Sequence, residues 1–135
     1  MTRIFLLCLL VAGLLSCDKN QQEQTTFDLD EAFSLEVGQT KLCNCTAPAI
    51  TLDGIVSDSR CPEGAMCVWE GEATVRLAIG DEWLQLSTHA FSGSAQQKDT
   101  LGGFVYTLVD VLPYPVIDQT IPQDDYEISL LVEAL

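Results

Sequence analysis

Between Cys67 and Ile79 the apolar and small residues fall on every second position. Cys67, Trp69, Gly71, Ala73, Val75, Leu77 and Ile79 alternate with Glu70, Glu72, Thr74 and Arg76. A period of two over this length predicts one strand, near 66–79, with one face buried and one in water. The strand is entered through Cys61-Pro-Glu-Gly-Ala-Met-Cys67. Pro62 fixes its own φ and Gly64 permits a positive one, so the segment can turn back tightly. A return of this length can bring two Cα atoms within the roughly 4.4–6.8 Å that a disulfide needs. Cys67 and Trp69 are in phase with the buried positions, which predicts that the Trp69 ring packs in the core over the bridge. Gly71 then leaves room for that ring or marks a bulge.

The rest of the chain repeats the period. Phe33, Leu35 and Val37 predict a strand near 32–37 that turns at Gly38, with Lys41 to Cys43 as a short continuation. Ile50, Leu52, Gly54 and Val56 share a parity, giving a strand near 49–56. Gly80-Asp81 is a two-residue hairpin signal leading into Glu82–Thr88. Residues 89–103 are rich in Ser, Gly, Gln and Lys and predict the longest loop. Phe104 to Val111 is apolar on both faces, as in a central strand. Two prolines in Leu112-Pro-Tyr-Pro115 and the turn at Ile121-Pro-Gln-Asp-Asp125 then separate it from a last strand carrying Tyr126, Ile128, Leu130 and Val132. Beyond the N-terminal leader, no stretch of ten residues has helical periodicity. The expectation is all-β: a small antiparallel β-sandwich, Ig-like or related, of six or seven strands, stapled by disulfides.

Residues 1–16 stand apart. Arg3 precedes an apolar run from Ile4 to Leu15, too short to span a bilayer, ending in Leu14-Leu15-Ser16-Cys17. This resembles the bacterial lipobox, in which a small residue precedes a cysteine that is lipidated and becomes the first residue. The resemblance implies a lipoprotein signal peptide over 1–16 and lipidation at Cys17. Asp18 to Thr26 is polar and Gln-rich, which predicts a flexible tether over 17–27 ahead of a single β domain over 28–135. An anchored domain of this kind belongs to the cell envelope, at the outer membrane, with the periplasmic or surface face undetermined.

The full chain has 135 residues and a formal net charge of −14. Loss of Arg3 with the leader makes the remainder more negative by one. Such a surface repels phosphate backbones and excludes nucleic acid as a natural partner. Beyond the anchor, the partners left by charge are an envelope protein, a glycan or a cation.

Six cysteines divide by role. Cys8 leaves with the leader and Cys17 carries lipid, so Cys43, Cys45, Cys61 and Cys67 remain as an even set in an oxidising compartment. Four cysteines allow three pairings. An alternative is a metal-binding or thiol-redox site made of all four. Gaps of one and five residues do not match the two to four usual for structural zinc, and no thioredoxin-like pattern surrounds Cys43 and Cys45. No metal or cofactor is therefore assigned.

The segment Asp58-Ser-Arg-Cys-Pro62…Cys67-Val-Trp69-Glu-Gly71 resembles a signature of small, uncharacterised Bacteroidota-type lipoproteins. The resemblance implies an all-β domain. It also implies that Cys61 and Cys67 pair with each other, because the signature recurs as a self-contained unit. It leaves Cys43 and Cys45 open and implies no reaction.

Catalytic sets are thin. His89 is the single histidine, with Ser87 and Ser92 near it, but no nucleophile elbow accompanies them. Glu70 and Glu72 form a carboxylate pair without a visible cleft. Asp28, Asp30, Glu31, Asp124 and Asp125 are scattered relative to any calcium loop. Asp99-Thr100-Leu101 resembles a bacterial O-glycosylation signal in the expected long loop. Asn44-Cys45-Thr46 fits the N-glycosylation pattern only formally. The expected function is a non-enzymatic binding or accessory module held at the membrane by lipid.

Overall fold

The computed structural model describes residues 25–89 and 95–135. They form an all-β domain of nine strands in two sheets, closed by two disulfides. The strands are β1 (Thr26–Phe27), β2 (Phe33–Glu36), β3 (Thr40–Cys43), β4 (Ile50–Asp58), β5 (Ala73–Ile79), β6 (Glu82–Ser87), β7 (Lys98–Leu101), β8 (Phe104–Leu112) and β9 (Glu127–Ala134). One sheet has the order β1-β3-β4-β5-β6 and the other β2-β9-β8-β7. The pairings are antiparallel except β1 with β3, which is parallel.

The alternation in the sequence becomes the core. Leu35, Leu52, Val75, Leu77, Leu108 and Leu130 are fully buried, and residues of both sheets join in one cluster. Each fully buried aliphatic side chain contributes about 1.5–3 kcal/mol, so the shared core is what holds the two sheets to each other. Gly80, at φ 57°, turns β5 into β6 as the hairpin signal predicts.

Two strands change phase where the sequence shows a simple period. In β4 the register shifts between Leu52 and Gly54, so Ile55 turns inward and Val56 outward, the reverse of the parity predicted for Val56. In β8 the shift between Leu108 and Asp110 buries Val111 and exposes Val109. An extra residue in one strand of a pair flips every later side chain to the other face. At the first bulge, the Gln123 amide nitrogen donates to the Ile55 carbonyl at 3.0 Å, and its oxygen accepts from the Ile55 N–H at 3.0 Å. Gln123 begins a 3₁₀ turn ending at Asp125, so the turn supplies the partners that the irregular ladder withholds.

Three expectations change. The strand count is nine among the described residues: β1 and β7 are additions, and β3 lies in the other sheet from β2 instead of continuing it. The tether cannot extend to residue 27, since Phe27 is buried and stacks on Phe33 at 4.5 Å between ring centroids. The strand after Cys67 begins at Ala73, six residues later than its period implies. The leader and Cys17 lie outside the described residues.

Candidate functional site

The segment between β4 and β5 is built as a pinned arm. As the chain leaves β4, Asp58 and Arg60 turn back under it. The Asp58 carboxylate accepts from Arg60 Nε at 2.9 Å, from Arg60 Nη2 at 2.6 Å and from the Tyr126 hydroxyl at 3.1 Å. Arg60 also donates from Nη1 to the Val111 carbonyl at 2.6 Å and from Nη2 to the Pro113 carbonyl at 3.0 Å. Its guanidinium lies 4.9 Å from the Tyr114 ring centroid. Both charged side chains are nearly buried, at 6% and 9% exposure for Arg60 and Asp58. Burial pushes the Asp58 carboxyl up, but the hydrogen bonds and charge of Arg60, with the Tyr126 hydroxyl, outweigh it and hold the group below its ordinary value. Burial likewise lowers Arg60, and Asp58 more than reverses it. The Tyr126 phenol is raised, by burial and then by the Asp58 charge.

Above this clamp the arm doubles back on itself. Ser59 N–H donates to the Glu72 carbonyl at 2.8 Å, and Cys61 N–H donates to the Glu70 carbonyl at 2.7 Å. Gly71 sits at φ +68°, and a Cβ there would lie 1.8 Å from the Ser59 carbonyl oxygen. Only glycine lets the two limbs approach this closely. The Cys61–Cys67 disulfide, with Cα atoms 5.8 Å apart, closes the outer part. Glu63 exchanges backbone hydrogen bonds with Pro115 and Ile117 at 2.9 and 3.0 Å, which ties the arm to the segment after β8.

The outermost residues touch little. Met66 and Val68 are fully exposed, and Trp69 is 83% exposed. This overturns the expectation that Trp69 packs in the core over the bridge. The arm has left the sheet by Cys67, so its alternation no longer reports a buried face. Gly71 makes no room for a ring; it makes room for the Ser59 carbonyl.

The second disulfide joins Cys43 to Cys45, with Cα atoms 4.9 Å apart. It follows β3, whose Lys41 pairs with Ile50 at the start of β4. The other bridge lies beyond Asp58, at the end of β4. Nine strand residues therefore separate the two pairs, roughly 26 Å. The four cysteines do not come together as one cluster.

The remaining candidates are dispersed. Ser87 is buried and donates to a Glu72 carboxylate oxygen at 2.9 Å, while His89 faces Glu70 at 3.5 Å. Glu70 and Glu72 thus have separate partners, and Arg76 pairs with Asp53 instead of with either. Ser92 lies outside the described residues. Asp28 accepts from Asn44 Nδ2 at 3.1 Å, and Asp124 and Asp125 lie on the 3₁₀ turn. Thr100 stands exposed on β7, an edge strand where a loop was expected.

The clamp is what sequence reasoning missed: Asp58 and Arg60 read only as letters of a motif. A usable signal was present. The chain has six Lys and Arg residues in 135, and one of them sits two positions from an Asp at the end of a strand. So scarce a cation beside a Cys-Pro turn points to a buried pair.

Fold and arm together define a class: an all-β domain of two sheets sharing one core, with a disulfide-closed arm that presents apolar side chains to solvent. No protein-family model matches the chain, and no curated protein or solved structure matches it either.

Proposed function

We propose that this chain is a lipid-anchored, non-enzymatic binding module of a bacterial cell envelope, a small sandwich of the Ig-like or a related kind, that docks a partner protein through Met66, Val68 and Trp69. The observation that carries the reading is the exposure of these three residues on an arm fixed by a disulfide, a buried ion pair and four or more backbone hydrogen bonds. A floppy loop would hide such side chains or leave them disordered in water. A pinned arm keeps them presented, and presentation before contact lowers the ordering cost of binding. Trp is the residue most enriched at the energetic centres of protein interfaces.

Charge favours a protein over a lipid surface. The arm carries Glu63 and Glu70 beside its apolar tip, in a chain of net charge −14. That combination fits an apolar cleft rimmed by Lys or Arg and opposes an anionic bilayer. The lipobox and the resemblance of the Asp58–Gly71 segment to envelope lipoproteins support the location.

The test is a photo-crosslinker placed at Val68 in cells making the full chain. One discrete adduct is expected, absent when the same group stands at Val56, which is exposed on β4. The W69A change should abolish the adduct. Equal crosslinking from both positions, or none from Val68, refutes the reading.

A further inference from the structure

The outer face of the five-stranded sheet carries a second feature, separate from the arm. The register sets Ala78 of β5 beside Trp83 of β6, and Arg76 beside Gln85. Asp53 reaches across from β4 to form an ion pair with Arg76. Together with Gly80 these residues line an open groove of about 390 Å³, a volume within the range of small-ligand sites. Ala78 and Gly80 give it a shallow floor because they put almost nothing above the backbone. Trp83 is 66% exposed, beside that floor instead of in the core.

We infer that this groove is a saccharide-binding site, taking a neutral hexopyranose unit of an oligosaccharide against Trp83. A pyranose ring has an apolar C–H face and a rim of hydroxyl groups. An exposed indole is the largest apolar surface a side chain can offer to that face. The rim needs partners that both donate and accept, close together and planar. Arg76 donates only, Asp53 accepts only, and Gln85 does both. Their row runs parallel to the Ala78–Trp83 row, one strand position pair away, so a ring resting on the indole has hydroxyl partners at its edge. Formal charge selects against an anion, which meets Asp53, Asp81 and Glu82 at the groove against the single Arg76. An open groove, accessible along its length, suits one unit of a longer chain.

The experiment uses the full chain extracted from a bacterial envelope in a detergent without a sugar headgroup. Calorimetric titration with maltoheptaose, cellohexaose, mannohexaose and chitohexaose is the readout. At least one is expected to bind with a dissociation constant below about 5 mM, and W83A to weaken it about tenfold or more. W83F should retain part of the affinity, which separates loss of the ring from loss of the fold, and W69A should leave it unchanged. Silence from all four probes overturns the inference. So does binding that survives W83A intact, or that falls with W69A instead.

Discussion

Replacing Arg60 by Met tests whether the clamp under the arm is the main polar support of this end of the domain. The change keeps an unbranched side chain of similar reach and removes the guanidinium. Four hydrogen bonds go with it, two donated to the Asp58 carboxylate and one each to the carbonyls of Val111 and Pro113. Asp58 is then left nearly buried, with the Tyr126 hydroxyl and the Arg60-position N–H as its remaining partners. Breaking one side of a buried pair costs about 3–5 kcal/mol, since the surviving charge stays out of water. A domain of this size has about 5–15 kcal/mol in total, so R60M should lower the urea midpoint severely. Far-UV circular dichroism is the appropriate probe, because Trp69 and Trp83 are both exposed when folded and report little on unfolding. The double variant D58N/R60M removes both charges and should be more stable than R60M alone.

Acidity gives the sharper check. In the native protein Asp58 is held below its ordinary value of 3.8. The unfolded chain then binds the proton more readily, so this group's contribution is fully present above about pH 4 and is lost as pH falls through the folded value. In R60M the burial remains and the guanidinium does not, so the carboxyl moves up. The folded state now binds the proton more readily, and acidification from neutral pH should recover part of the loss. A deficit under about 1 kcal/mol is what a solvent-screened surface pair gives. Either that small a deficit, or one that does not vary with pH, would refute the clamp.

Three further outcomes follow from named contacts. G71A should destabilise by about 2 kcal/mol or more in thermal melts, since its Cβ overlaps the Ser59 carbonyl and its φ is positive. Y106F should be neutral or stabilising by about 1 kcal/mol, because the Tyr106 hydroxyl is buried without a hydrogen-bond partner among the described residues; a marked loss in the same melts means the hydroxyl has a partner. C17A should move the protein from the membrane to the soluble fraction on ultracentrifugation, and persistence in the pellet removes the lipid anchor.

Much of the sheet structure was legible because burial on one face writes itself as a period of two. Ala73, Val75, Leu77 and Ile79 are buried as that period requires. It failed where hydrogen bonding, not burial, decides the path. The bulges in β4 and β8 need knowledge of the opposing strand, so the phase at Val56 and Val109 is not written in either strand alone. Thr26–Phe27 is too short to show a period, and Lys98–Leu101 carries a single apolar residue, Leu101, so neither is distinguishable from a loop in the sequence alone. At Trp69 the period continued by chance past the point where the chain leaves the sheet. The Cys61–Cys67 pairing, implied by the resemblance, is present, and the Cys43–Cys45 pairing was one of the alternatives left open.

The arm residues sort by what they touch. Asp58 and Arg60 hold each other and the segment after β8, Ser59 and Cys61 hold the returning limb, Cys67 closes the loop, and Gly71 lets the limbs meet. Each has a structural task that accounts for its residue type. Met66 and Val68 have none, and truncating Trp69, 83% exposed, removes little buried surface. Trp83 on the outer sheet face keeps about two thirds of its surface in solvent, at 66% exposure. Both tryptophans of the chain are thus kept out of a core that is filled by Leu, Ile, Val, Phe and Tyr. Exposing an indole forgoes about 1.5–3 kcal/mol that burial of a large apolar side chain gives, and two of them forgo it at two separate places. Folding does not account for either exposure; the proposed partner at the arm and the proposed saccharide at the groove would.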